Sequence, residues 1–267
     1  MQRVREGWAE YKNPFGPQMY RVSLAAENVR AIVFWTRNPS PLWRHLDELD
    51  RDGHRYYFHF TITGLPPELE PCSPPKDLAL AEFRRLSKRL GAKRVLWRFD
   101  PLLESGLSPL GEQRRWFERL AAELEGYTER CYTSFAHFYG KAARRLTHAG
   151  IAWRDPDPEE KIAFIHELAE IAAGCGITVY ACCNDILVGG LVQKAHCVDA
   201  ALIEDLWPLP QSPHRIKPTR RECGCCASRD IGAYDTCGHG CLYCYAASAR
   251  SSPACDPDAG RLMRTEP

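Results

Sequence analysis

The sequence predicts an α/β fold, an open, TIM-like partial barrel (β/α)6 of six parallel βα units. Over residues 1–207, short apolar runs alternate with longer helical patterns, which is the order expected of a parallel sheet with crossover helices. The 267 residues are 45% hydrophobic, which is enough to bury the core of one such domain. We therefore assign residues 1–207 to a barrel-like domain and expect residues 208–267 to complete it.

Five segments are predicted to be strands because each is a nearly continuous apolar run, as in strands that are covered on both faces. They are residues 30–36, 56–63, 94–99, 130–135 and 177–182. A sixth strand is expected at residues 229–236, where it would lead into a cysteine-rich loop.

The segments between the strands are predicted to be helices. Apolar residues recur at helical spacing over 83–90 and 116–124, and each run is followed by a glycine, which suits the end of a helix. The clearest start is at residues 157–160, where Asp-Pro-Glu-Glu predicts an N-cap, a proline at the first helical position and a capping box. This helix is expected to end at Gly174 or Gly176.

The balance of charged residues argues against a strong electrostatic field around the protein. Lys plus Arg (35) and Asp plus Glu (34) nearly cancel, so a nucleic acid or membrane partner has little general support. Two basic clusters are candidates for phosphate contacts, although such clusters are usually solvated faces. They are Lys141, Arg144 and Arg145, and His214, Arg215, Lys217, Arg220 and Arg221.

No apolar run approaches the roughly 18 residues of a membrane span, and the N-terminus lacks a signal-peptide core, so we expect a cytoplasmic protein.

Cysteine usage favours metal ligation over disulfides. The chain contains 13 cysteines, an odd number, in a long sequence without an export signal. After Trp207 the composition changes. A connector contains Pro208, Pro210, Pro213 and Pro218, and seven cysteines lie in this last part of the chain. The chemistry is therefore expected in the C-terminal segment.

Three of these cysteines, Cys237, Cys241 and Cys244, lie within eight residues. Two intervening glycines let the backbone curl around a metal centre. A four-iron cluster with three protein thiolates has one open iron, which can chelate the amino and carboxylate groups of a methionine moiety. The alternatives are a zinc knuckle, completed by His239 or a more distant cysteine, and chance clustering.

A second group of cysteines is expected to converge at the carboxyl edge of the sheet. Its members are Cys182 or Cys183, with Cys197, Cys223 and Cys225. Four thiolates complete either an auxiliary iron-sulfur cluster or a zinc site. The alternative is that several are buried small hydrophobic residues. That is what we expect of Cys72, Cys131, Cys175 and Cys255.

Polar residues follow two of the predicted strands. Arg98 and Asp100 end the third strand, where α/β barrels carry functional side chains. They are predicted either to act on the substrate or cofactor or to form a buried ion pair. Thr36, Arg37 and Asn38 occupy the corresponding end of the first strand and are predicted either to bind the carboxylate or ribose of a cofactor or to form a simple turn.

The cysteine loop resembles that of the radical S-adenosylmethionine superfamily, C-x3-C-x2-C with an aromatic residue before the last cysteine, here Tyr243. The resemblance implies a 4Fe-4S cluster on the three cysteines, binding of S-adenosylmethionine, and Tyr243 near the adenine. It further implies a 5'-deoxyadenosyl radical that acts on a substrate, and an electron donor such as a flavodoxin or ferredoxin.

The order of segments differs from that of ordinary members, in which the cysteine loop follows the first barrel strand. Here only 23 residues follow Cys244. Segments 33–39 and 61–74 look similar to those that come after the loop in spore-photoproduct-lyase-like proteins, which implies a circularly permuted radical-SAM barrel. A lyase-like reaction on a nucleic acid lesion would follow from that analogy alone.

The whole chain also resembles bacterial domain-of-unknown-function family 1848. The matching segments are residues 12–14, 33–39, 97–101, 222–225 and 230–234. Members of that family begin with a further strand containing Ser-Arg-Arg-Thr-Asp, so we expect this sequence to have a misassigned start or a truncation.

Two functions follow from the sequence. The first is a radical S-adenosylmethionine enzyme with an unknown substrate. The second is a non-catalytic zinc- or iron-sulfur-binding protein that acts through a partner.

Overall fold

The computed structural model describes residues 1–12, 18–208, 216–217 and 220–247. An antiparallel hairpin comes first in the chain, formed by β1 (Trp8–Lys12) and β2 (Met19–Ser23). The remaining strands form one parallel sheet of six. They are β3 (Ile32–Thr36), β4 (Tyr56–Thr61), β5 (Val95–Arg98), β6 (Arg130–Thr133), β7 (Thr178–Ala181) and β8 (Val192–Lys194).

The sheet has sequential strand order from β3 to β8, and every neighbouring pair is parallel. The five predicted strands are confirmed as β3 to β7. Among the described strands, β3 and β8 form the two edges of the sheet. A parallel sheet brings the carboxyl ends of all its strands to one edge, so the segments that follow the strands meet there.

The prediction of a sixth strand at residues 229–236 is wrong. These residues form no strand and are exposed, and the Asp230 carboxylate accepts a hydrogen bond from the backbone N–H of Gly232 at 2.8 Å. A side-chain turn of this kind competes with strand pairing. The sixth strand is instead β8, whose three residues are too few for an apolar pattern to stand out.

Seven helices lie in the described residues. They are α1 (Gln2–Arg5), α2 (Leu46–Arg51), α3 (Lys76–Leu90), α4 (Leu110–Leu124), α5 (Gly140–His148), α6 (Pro158–Gly174) and α7 (Ala200–Leu206). The capping box is confirmed, because the Asp157 side chain accepts from the backbone of Glu160 and the Glu160 side chain accepts in return. The end of α6 at Gly174 is also confirmed.

The two faces of the sheet have different cores. On one face, large apolar side chains of the strands, such as Phe58 and Trp97, pack with α3, α4 and α6 in the main hydrophobic cluster. The opposite face presents Tyr57, Leu96 and Tyr132, which pack with α7 and with cysteines of the C-terminal segment. The cysteine-rich segment therefore shares a core with the sheet.

Some predictions fall outside the described residues. These concern Asn13, Pro14, Pro210, Pro213, His214, Arg215, Pro218 and Cys255. Within the described part of the chain, no helix has both the length and the apolar character required to cross a bilayer.

We expect Asp157→Ala to lower the free energy of unfolding by about 1 kcal/mol, because the first turn of α6 loses its side-chain cap. Asp157→Asn is the matched control, because the amide oxygen can still accept from the Glu160 backbone. Chemical denaturation of both variants measures the difference. Equal losses in the two variants would show that the cap oxygen contributes nothing.

Candidate functional site

The cysteine loop lies against the segment that follows β4. The backbone N–H of Leu242 donates to the carbonyl of Leu69 at 3.0 Å, and that of Cys72 donates to the carbonyl of His239 at 3.1 Å. The loop therefore lies at the carboxyl edge of the sheet, although it is distant from β4 in sequence.

A buried polar network joins this loop to two strand ends. The Arg37 guanidinium, directly after β3, donates to a Glu70 carboxylate oxygen at 2.9 Å and to the Tyr243 hydroxyl. That hydroxyl donates to Glu70, which also accepts from the Thr63 hydroxyl at 2.8 Å. The side chains of Arg37 and Glu70 are only 13% and 6% exposed, so each charge depends on the other for compensation.

The charges within this network change the pKa of Arg37. Burial alone lowers the pKa of this guanidinium, but the Tyr243 and Glu70 groups outweigh burial and raise it. Burial raises the pKa of Tyr243 well above its usual range, so its hydroxyl stays protonated and can donate to Glu70. The network is therefore an ion pair bridged by a neutral phenol.

Tyr243 is an anchor of the loop in this structure. Its side chain packs against a small apolar cluster that includes Leu65, Leu69 and Leu146. The predicted contact between Tyr243 and an adenine stays a prediction. Glu70 is the residue that sequence reasoning missed, and its only signal was that it is one of two carboxylates, with Glu68, in the proline-rich segment after β4.

The side chain of Arg145, in α5, binds backbone carbonyls of the same loop. The guanidinium donates to the carbonyls of Leu242 at 2.8 Å, Ala247 at 2.6 Å, and also Cys244. Arg145 was a candidate for phosphate contact from its basic neighbours, but here it binds peptide carbonyls. Lys141 and Arg144 of the same cluster are exposed, as expected of a solvated face.

The three loop cysteines differ in exposure. Cys241 is buried, Cys244 is partly exposed and Cys237 is exposed. Gly240 has a φ of 66°, a left-handed conformation that glycine adopts without strain, and the backbone N–H of Cys244 donates to the carbonyl of Cys241 at 3.1 Å. The turn thus carries two of the thiols on either side of Tyr243.

A second group of thiols meets at the ends of β7 and β8, as predicted. The Cys182 sulfur lies 3.4 Å from that of Cys197 and 3.8 Å from that of Cys183. The Cys197 thiol also contacts the Cys225 thiol, and Cys223 contacts the thiols of Cys183 and Cys225. Five cysteines from three segments of the chain therefore form one continuous set of contacts, which we call the second thiol group.

The segment at residues 223–226 is tied to the residues after β8. The backbone N–H of Cys226 donates to the carbonyl of Val198 at 3.0 Å, and the His196 ring lies 2.6 Å from the carbonyl oxygen of Gly224. A Cβ atom at Gly224 would lie 2.7 Å from the His196 ring. A side chain at this position would force the His196 ring to move, so glycine suits this close approach, and Cys225 lies in contact with Cys197.

Arg98 and Asp100 lie beside the second thiol group. The Arg98 guanidinium donates to the Cys197 sulfur at 3.3 Å and to the Asp100 carboxylate at 2.5 Å, and Asp100 also accepts from the Ser134 hydroxyl at 2.5 Å. Burial lowers the pKa of Arg98, but the charges of Asp100 and Cys197 raise it well above its usual range. The predicted ion pair is therefore formed, and a catalytic role for the pair stays a prediction.

Thr36 and Asn38 form the turn that ends β3. The Thr36 hydroxyl accepts from the backbone N–H of Asn38 at 2.9 Å, and the Asn38 side chain accepts from that of Ser40 at 3.0 Å. Both side chains therefore serve the local backbone, which favours the turn interpretation over cofactor binding.

The remaining cysteines divide into two cases. Cys131 is buried in the main core, and Cys175 packs against it at the end of α6, as expected of small hydrophobic residues. The expectation for Cys72 is wrong, because this residue is partly exposed and disulfide-bonded.

As the side chains stand, no group of three or more His, Cys, Asp or Glu residues in the described segments is arranged to hold a metal ion.

A cavity of about 360 Å³ lies next to the Arg37 network. Its lining includes Arg37, Glu70, Lys76, Trp116 and Arg119. None of the cysteines in the described segments lines this cavity, so it is separate from both thiol groups.

The fold and the site define an α/β protein with a six-stranded parallel sheet and a cysteine-rich C-terminal segment at its carboxyl edge. The chain belongs to the family described as a domain of unknown function, DUF1848, whose model matches residues 1–246. The predicted membership in this family is confirmed. No curated protein and no solved structure matches the chain.

We expect Tyr243→Phe to lower the free energy of unfolding by about 1–3 kcal/mol, because the buried Arg37 and Glu70 groups each lose one hydrogen-bond partner while still pairing with each other. Tyr245→Phe is the matched control, since Tyr245 is 51% exposed, and its stability should stay within about 0.5 kcal/mol of the wild-type value. Denaturant unfolding of the two variants provides the comparison. A similar loss in both would mean that the network does not stabilise the fold.

We expect Arg145→Ala to release the cysteine loop, because three backbone carbonyls lose a charged donor. Amide hydrogen exchange at residues 239–247 should accelerate at least tenfold, whereas exchange in β4 and β5 should be unchanged. Arg144→Ala removes an exposed neighbour and serves as the control. Unchanged exchange in the loop of the Arg145 variant would contradict its role as a clamp.

Proposed function

We propose that the protein is a radical S-adenosylmethionine enzyme whose Cys237, Cys241 and Cys244 hold a 4Fe-4S cluster. The observation that carries the proposal is the position of the cysteine loop. The Arg37–Glu70–Tyr243 network and the Arg145 clamp fix it at the carboxyl edge of a parallel sheet, where α/β enzymes bind their ligands.

The donor set of the loop fits a cluster with an open iron. It offers three thiols at the spacing x3 and x2, and soft thiolates are the usual ligands of iron-sulfur clusters. Cys237, Cys241 and Cys244 would hold the cluster, which when reduced would supply the one electron needed to cleave the sulfonium of S-adenosylmethionine into methionine and a 5'-deoxyadenosyl radical. The chain itself orients the loop and, through buried Cys241, limits the access of water on one side.

We further propose that the sheet curls into a partial, circularly permuted barrel. Its sequential strand order has no reversal, as in singly wound barrels and unlike doubly wound sheets. The substrate is unidentified, and a one-electron donor such as a flavodoxin or ferredoxin would reduce the cluster. A nucleic acid substrate gains no support from Arg145, because its guanidinium is occupied by the loop.

The second candidate is a non-catalytic metal protein that acts through a partner. One observation favours it. The Nδ1 atom of His239 lies 3.0 Å from the carbonyl oxygen of Cys72, and since a carbonyl only accepts, Nδ1 is the donor in this hydrogen bond. Metal-bound histidines donate their other ring nitrogen to a partner in this way, so Nε2 of His239 would complete a four-ligand knuckle with the three loop cysteines.

Anaerobic reconstitution with iron and sulfide, followed by reduction with S-adenosylmethionine present, tests the first function. We expect release of 5'-deoxyadenosine by the wild-type protein and loss of at least about 100-fold in Cys241→Ala, because the cluster loses a ligand. Cys175→Ala is the control, since Cys175 lies at the end of α6 away from both thiol groups.

His239→Ala separates the two candidates. A radical enzyme of this design should retain its iron and its 5'-deoxyadenosine release, because histidine is not a ligand of the cluster. If zinc alone binds to the loop, with loss of zinc in His239→Ala and no 5'-deoxyadenosine from any preparation, the enzymatic proposal is wrong and the zinc knuckle stands.

A further inference from the structure

We propose that the second thiol group binds one zinc-like metal ion rather than an iron-sulfur cluster, through Cys197, Cys223, Cys225 and one thiol of the adjacent pair Cys182 and Cys183. This inference is independent of the proposed radical chemistry. It concerns a site built from the ends of β7 and β8 and the 223–226 segment.

The separations between the sulfur atoms carry the argument. A zinc ion binds thiolates at about 2.3 Å in tetrahedral geometry, which sets neighbouring sulfurs about 3.8 Å apart. The Cys182 sulfur lies 3.4 Å from Cys197 and 3.8 Å from Cys183. The Cys182–Cys197 separation is thus already close to the spacing that one ion requires, and Cys223 and Cys225 belong to the same set of contacts, so side-chain rotations within the group would open a central position.

A four-iron cluster fits these separations poorly. Four irons and four sulfides would stand between the ligands and hold the thiolate sulfurs much further apart than one ion does. The group is also enclosed, because Cys197, Cys223 and Cys225 pack in the same core as Leu96 and Tyr132. Room for a cubane would require this core to open, whereas a single ion replaces only the thiol protons.

The surroundings also suit a centre with net negative charge. One divalent ion with four thiolates carries a charge of about −2. Arg98 donates to the Cys197 sulfur, although Asp100 offsets part of its charge, and the exposed Arg220 interacts electrostatically with Cys182 and Cys183. The backbone N–H of Val198 points to the Cys225 sulfur at 3.5 Å, as outer partners of metal ligands do.

The backbone at Cys183 supports a ligand role for the adjacent pair. Its φ of 51° lies in the left-handed region, which is strained for a non-glycine residue and is found in ligand-holding segments. This strained backbone lies at the position where the thiols of both Cys182 and Cys183 turn toward the group.

The test uses the full chain with Cys237, Cys241 and Cys244 all changed to alanine, so that bound metal reports only the second thiol group. We expect one zinc per chain by elemental analysis. Cobalt in its place should give the charge-transfer and ligand-field spectrum of a tetrahedral four-thiolate site. The same cobalt spectrum in the wild-type chain provides a second measurement if the triple variant folds poorly.

Single serine variants identify the ligands. Cys197→Ser, Cys223→Ser and Cys225→Ser should each weaken zinc binding by more than the roughly 10- to 100-fold that loss of an outer partner costs. One of Cys182→Ser and Cys183→Ser should do the same, and the other should not. Cys226→Ser is the matched control, because Cys226 neighbours Cys225 but its thiol takes no part in the sulfur contacts of the group, and its variant should bind zinc normally.

Three results would overturn the inference. They are four irons with four sulfides in the triple variant, a disulfide between Cys182 and Cys197 with no metal bound, or zinc loss in Cys226→Ser equal to that in Cys225→Ser. Because the loop cysteines are absent from the triple variant, none of these results bears on the radical enzyme. Likewise, failure to release 5'-deoxyadenosine leaves the zinc measurement intact.

Discussion

The buried guanidinium of Arg37 is the group on which the candidate site depends. It follows β3 directly, pairs with Glu70 from the segment after β4, and donates to the hydroxyl of Tyr243 from the C-terminal segment, which in turn donates to Glu70. A buried charge of this kind is costly unless its hydrogen bonds are complete. The cysteine loop supplies the missing partner, so its docking and the burial of Arg37 are coupled.

A second buried guanidinium lies elsewhere on the same sheet edge. Arg98 donates to the Asp100 carboxylate and to the Cys197 sulfur. Two arginines thus end two strands, and each faces a different thiol group. The thiol groups differ in construction. The loop cysteines lie on one short turn and vary from buried to exposed, whereas the second thiol group is assembled from three separate segments and is largely enclosed. The exposure of the loop cysteines suits an accessible metal centre, and the enclosure of the second thiol group suits a structural one.

Much of the framework follows from local patterns. Continuous apolar runs located β3 to β7, and the capping box at Asp157 located the start of α6, because both signals arise within a few residues. The order of the sheet and the pairing partner of β7 depend on contacts between distant residues, so the very short β8 was missed and residues 229–236 were wrongly expected to replace it. The hairpin of β1 and β2 carries no strong apolar run and was also not predicted.

For the site, the sequence by itself determined the identity and spacing of the cysteines, the family, and the presence of polar residues at strand ends. Only the tertiary structure decided which of them meet. Glu70 and Arg145 acquire their roles because a proline-rich segment and a helix come to lie beside residues 237–247, which no local pattern encodes. Cys225 contacts Cys197, and Cys223 contacts Cys225, in a segment where Gly224 packs closely against His196. The sequence specifies which functional groups are present, but their burial and their partners depend on packing between segments that are far apart in the chain.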